Sequence, residues 1–161
     1  MQLFVNECSY TDEVIEEAVK AWWDWKVKKQ KILFIVILAV FAVYGIVAKN
    51  PFFLIPAILS VVGLILIQVK VNNAIKLEKE RVKVLSPDGP VLYKLVLGEQ
   101  LVITLKDSTR SVSLDNIEGF AETKNLVVLF VKGMMTIPFD KSRFSSGNAE
   151  QLMNVLKNRN N

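Results

Sequence analysis

Two uncharged apolar runs, Ile32 to Ala48 and Phe52 to Val69, stand almost end to end, with only Lys49, Asn50 and Pro51 between them. At 1.5 Å rise per residue, helices of this length reach roughly 26–27 Å, close to the hydrocarbon thickness of about 30 Å. Lysine stems at the ends cover the shortfall by snorkelling. Both runs are apolar on every face, whereas a helix packed on a soluble core carries a single apolar stripe. The expectation is a transmembrane hairpin, preferred over the buried hairpin of a soluble protein. The first run begins behind an acidic segment and lacks a small-residue cleavage site, so it does not read as a secretory signal.

Charge is segregated around this block. Residues 1–24 carry six acids against Lys20, and Lys26, Lys28, Lys29 and Lys31 follow with no acid among them. Beyond the second run, Lys70, Lys76, Lys79, Arg81 and Lys83 outnumber Glu78 and Glu80. A net charge of +4 could suggest nucleic acid, but the basic excess flanks the apolar runs instead of forming a basic and aromatic face, so no nucleic-acid partner is expected. Under the positive-inside rule both termini are cytoplasmic and the Asn50-Pro51 turn faces outward, which places the chain in the cell (inner) membrane as a two-pass protein. Proline disfavours helix for the residue before it, which suits that turn, and Pro56 falls where it opens or kinks the second helix.

The basic flanks are the first candidate site. Lys26, Lys28, Lys29, Lys31, Lys70 and Lys76 are candidates for lipid-headgroup contact, with plain topology signalling as the simpler account of the same residues. Trp22, Trp23 and Trp25 precede the first basic cluster and fit interfacial aromatic anchors, with packing on the cytoplasmic part as the alternative. Within the spans Tyr44, Ser60 and Gln68 are the polar side chains, and the spans hold no acid or base. Pumps and ion pathways place ionisable groups at depth, so the hairpin reads as an anchor. Ala42 with Gly45, and Ser60 with Gly63, are loose small-residue pairs for helix packing.

The remaining sequence is soluble in texture. Leu3 to Val5 reads as a short strand, and Ser9 or Thr11 can cap a helix that starts near residue 12 and runs into the first span. Lys70 to about Lys79 extends the second helix. From Arg81 onward, β-branched runs alternate with turn signals: Val82–Val84, Val91–Leu97, Leu101–Leu105, Arg110–Leu114, Gly119–Glu122, Leu126–Val131 and Met134–Ile137. Turns are expected at Pro87-Asp88-Gly89 and Asp107-Ser108. A last helix capped by Asn148 buries Leu152, Met153 and Leu156. The fold class is thus membrane α+β: a two-helix transmembrane hairpin with a cytoplasmic antiparallel β domain, a partly open barrel closed by the C-terminal helix. Its parts are a cytoplasmic strand and amphipathic helix over 1–31, the hairpin over 32–69 (32–48 and 52–69), a basic helix extension over 70–83 and the β domain over 84–161. A strand as short as Leu3–Val5 is unstable alone and is expected to pair with the C-terminal sheet.

This order resembles the bacterial YcxB-like proteins across essentially the whole chain. The residues that carry the likeness are Leu114-Asp115-Asn116-Ile117-Glu118, Glu122-Thr123, and Thr136-Ile137-Pro138 with Lys141 to Phe144 before the last helix; Leu114 stands where that family often has Trp. The resemblance implies a C-terminal domain similar to pleckstrin-homology-like folds.

Catalytic constellations are nearly absent. The chain has no histidine and one cysteine, Cys8, which excludes histidine triads, histidine metal sites and disulfide frameworks. Asp115 with Glu118 reads as a solvated turn, and Asp12, Glu13, Glu16 and Glu17 as helix-start charge. Gly89, Gly98, Gly119 and Gly133 are isolated at turns and form no phosphate loop. Ser145-Ser146-Gly147 has no base beside it, and Cys8 reads as a small packed or exposed thiol. No catalytic residue, cofactor or metal ligand is expected. The leading function is a non-enzymatic binding or scaffold module tethered to the membrane. A regulatory or accessory subunit contacted through the hairpin is the alternative, and a lipid-acting enzyme stands third. The partners expected are membrane lipids, a protein of unknown identity and, further back, a second copy of the chain in a homo-oligomer.

Overall fold

The computed structural model describes residues 3–87, 89–106, 108–133 and 136–159. Strand β1 (Phe4–Tyr10) leads into helix α1 (Asp12–Val47), a 3-10 turn (Pro51–Phe53) and helix α2 (Leu54–Leu85). Seven strands follow: β2 (Val91–Leu97), β3 (Gln100–Leu105), β4 (Ser108–Ser113), β5 (Ile117–Glu122), β6 (Leu126–Val131), β7 (Ile137–Asp140) and β8 (Phe144–Ser146). Helix α3 (Ala149–Arg159) closes the order. The chain divides into two compact units, Trp23–Ala74 and Met1–Trp22 with Ile75–Asn161.

The first unit is a helix hairpin. Lys49 adopts a left-handed φ of 49°, and Asn50 accepts hydrogen bonds from Phe52 N through its side chain (3.1 Å) and from Phe53 N through its carbonyl (3.3 Å). The helices meet along small residues. The Gly45 Cα lies so close to Leu54 that an added Cβ would come within 2.8 Å of Cδ2, and a Cβ on Gly63 would come within 2.8 Å of Phe34 Cζ. Ser60 is buried and donates to the Pro56 carbonyl at 2.8 Å, so its hydroxyl is not left open in an apolar setting. Val36, Val40, Val43, Ile46, Ile58, Leu59 and Leu66 point outward and are exposed. Both helices are long and apolar enough to cross a membrane, and their outer faces bury nothing within the unit.

The second unit is two antiparallel sheets, ordered β4-β3-β2-β1-β8 and β5-β6-β7. β1 lies inside the five-stranded sheet, pairing with β2 from Phe4↔Leu97 to Tyr10↔Val91 and with β8 through Val5↔Ser146 and Asn6↔Phe144. The expected pairing of the N-terminal strand with the C-terminal sheet is therefore present, over a longer strand than Leu3–Val5. Period-two alternation aims Phe4, Asn6, Cys8 and Tyr10 at one face. Phe4 and Cys8 pack there with Leu95, Leu97, Leu101, Leu129 and Phe139, and Asn6 is equally buried.

β6 is buried along its whole length. Val127, Leu129 and Val131 face the core shared with the five-stranded sheet, and Leu126, Val128 and Phe130 face Ala18 and Ala21 of α1. A strand covered on both faces reads as a continuous apolar run instead of an alternating one. Glu17 fastens α1 here, accepting from Asn125 N (2.8 Å) and Asn125 Nδ2 (2.9 Å). Leu152, Met153 and Leu156 of α3 join the main core, and Asn148 caps that helix by accepting from Gln151 N at 2.9 Å.

Three expectations change. Val82–Val84 is helical, because α2 continues to Leu85 and an established helix overrides the β propensity of two valines. The last strand of the three-stranded sheet is Ile137–Asp140; Met134 lies outside the described residues, as do Asp88 and Asp107 of the expected turns. β8 is a further short strand, held by the Ser146 hydroxyl donating to Leu3 O at 3.0 Å.

Candidate functional site

The basic residues are surface residues. Lys26, Lys28, Lys29, Lys70 and Lys76 are exposed and Lys31 is half-buried. Lys31 pairs with Asp24 at 2.5 Å and Lys76 with Glu80 at 3.9 Å, while Lys26 Nζ lies 5.9 Å from the Trp23 ring centroid. Among the described residues, Lys28, Lys29 and Lys70 make no ion pair. Lys26, Lys28, Lys29, Lys31 and Lys70 belong to the hairpin unit and Lys76 to the sheet-bearing unit. The tryptophans separate: Trp22 packs beside Ala18, Ala21 and Phe130, whereas Trp25 is exposed.

A second site lies in the sheet-bearing unit. The register sets Leu95, Ile103 and Arg110 in one row across β2, β3 and β4, with Val112 following Arg110 on the same face. Arg110 thus stands at the exposed end of this row, beside the buried Leu95 and Ile103. It borders a cavity of about 210 Å³. Tyr10, Tyr93, Leu95 and Ile103 line one side, and Glu78, Arg81 and Val82 of α2 another. Thr136, Ile137 and Pro138 complete the wall. Tyr10 and Tyr93 meet edge to face with centroids 5.1 Å apart, and the Tyr10 hydroxyl lies 3.5 Å from Thr136 Oγ1.

Electrostatics divide this cavity. Arg81 Nη1 is 3.8 Å from Glu78 Oε2, whose side chain is 14% exposed, so these two charges offset each other. Among the described residues Arg110 has no ion-pair partner, which leaves one positive charge in excess. Burial raises the Tyr10 hydroxyl above its ordinary range, and burial also raises Tyr93, with Glu78 adding to both. Both phenols are neutral hydrogen-bonding groups at physiological pH. Sequence alone does not bring Arg81, Arg110, Glu78, Tyr10, Tyr93 and Thr136 together as a site; the signal it does hold is Arg110 at strand spacing from Val112.

Among the described residues, no group of three or more His, Cys, Asp or Glu side chains is placed to hold a metal ion. No family model, curated protein or solved structure matches the chain.

Proposed function

We propose that the chain is a membrane-anchored binding module: the hairpin fixes it in the cell membrane, and the sheet-bearing unit, similar to the pleckstrin-homology-like domains of YcxB-like proteins, binds its partner at the cytoplasmic face. One observation carries this reading. β1 precedes the two apolar helices and β2 and β8 follow them, yet all three strands hydrogen-bond in one sheet. Both flanks must then share one side of any bilayer the helices cross, and two crossings meet that requirement. The lysine excess on both flanks supports the cytoplasmic side.

Cysteine accessibility tests the topology. A membrane-impermeant maleimide should label Lys49→Cys in intact cells and Lys157→Cys only after permeabilisation. The reverse pattern overturns the orientation. Photo-crosslinking tests the binding role: a protein captured from Thr109 on β4 supports it, and capture from Val43 or Ile58 alone favours an accessory subunit contacted through the hairpin.

A further inference from the structure

We infer that the cavity between α2 and the core face of the five-stranded sheet binds a small amphipathic monoanion, a carboxylate on a ring-sized apolar body. This rests on the reading of the sheet-bearing unit as a binding module and names its ligand class. Size is the first argument. A cavity of about 150 Å³ holds benzene, so about 210 Å³ accommodates a ring with a short side chain.

Chemistry is the second. Val82, Leu95, Ile103, Ile137 and the Tyr10–Tyr93 pair supply an apolar and aromatic surface for the ring. Arg110 supplies the uncompensated charge, and its planar guanidinium matches a carboxylate in two parallel hydrogen bonds. Glu78 occupies Arg81 from within the chain, so Arg81 becomes a second anchor only when that ion pair opens. The single excess charge selects a monoanion over a cation or a neutral molecule of the same shape.

The test uses the full chain in neutral-lipid nanodiscs and 19F NMR titration of three probes of similar size: 4-fluorophenylacetate, 4-fluorophenethyl alcohol and 4-fluorophenethylamine. Titration of empty nanodiscs of the same lipid corrects for partition into lipid. The acid should bind, with Arg110→Gln weakening it tenfold or more and Glu78→Gln strengthening it severalfold. Arg81→Gln should weaken it less than Arg110→Gln does. Equal titration of wild type and Arg110→Gln, or equal binding of the alcohol and the acid, overturns the assignment. If the acid fails to bind while Thr109 still captures a protein, the ligand class falls and the binding module stands; failure of both removes the module itself.

Discussion

Asn6 and Asp140 exchange two hydrogen bonds: Asn6 Nδ2 donates to the Asp140 carbonyl at 2.7 Å, and Asp140 N donates to Asn6 Oδ1 at 3.0 Å. The side chain of a strand in one sheet thereby serves as a peptide-like partner for the backbone of a strand in the other. Asn6 is fully buried, so water does not replace either bond.

Replacing it should be costly. Asn6→Leu leaves the Asp140 N–H unpaired, at about 1–3 kcal/mol, while the Asp140 carbonyl keeps its bond from Arg143 N at 3.1 Å. Chemical denaturation followed by circular dichroism should register a loss of roughly 1–3 kcal/mol. A loss below about 0.5 kcal/mol, the level of ordinary surface changes, would mean that other contacts join the sheets.

Cys8 gives the unit a pH dependence. Burial pushes its thiol up to about 12 from an ordinary 9.0, with Asp140 adding to the effect. The folded state therefore holds a proton that the unfolded state releases. This contribution is fully present below pH 9.0 and is lost as pH rises toward about 12, at up to about 1.4 kcal/mol per unit. Cys8→Ala should flatten the decline in stability just above the ordinary thiol value, and maleimide should label native Cys8 far more slowly than the unfolded chain.

Glu17 works in the opposite direction. Burial raises its carboxyl, but hydrogen bonds with Thr123 and Asn125 outweigh that and hold it below its ordinary value. Its contribution is present above the ordinary carboxylate range and is lost as pH falls through the lowered value. Glu17→Ala should cost about 1 kcal/mol at neutral pH after allowance for solvent screening, and less at acid pH. A pH-independent cost would exclude the carboxylate as its origin.

In the hairpin, Gly63→Leu should separate the helices, because its Cβ would meet the Phe34 ring at 2.8 Å. Gln30 and Ile67 border the same groove as Phe34 and Gly63. Disulfide trapping between Cys residues introduced at Gln30 and Ile67 should fall severalfold in the variant. Unchanged trapping would show that the Phe34 ring turns aside.

Neutralising Lys28, Lys29 and Lys70 removes three lysines of the hairpin unit that make no ion pair among the described residues. Each basic group near an anionic leaflet is worth up to about 1 kcal/mol, so copurified anionic lipid should drop severalfold in a correctly inserted variant. Unchanged lipid retention would leave them as topology signals.

What the sequence disclosed follows the range of the forces involved. Ile32–Ala48 and Phe52–Val69 are legible because hydropathy over a span needs no partner. Leu126–Val131 is legible as a strand, although its cover on both faces depends on Ala18 and Ala21 from a distant helix. Val82–Val84 misleads because local β propensity is weaker than the continuation of a helix already formed. The cavity is the least legible part. Arg110 looks like an ordinary strand charge until the register sets it beside Ile103, and Tyr10, Glu78 and Thr136 reach it from other parts of the chain.

The place of β1 also sets an order of events during synthesis. Tyr10 leaves the ribosome long before Val91, its partner in β2, and both apolar helices are made in between. At about 5–20 residues per second, β1 waits roughly 4–16 s with both edges open. A chaperone that shields nascent strands, or early engagement of the helices by the insertion machinery, would then govern yield more than the final stability does.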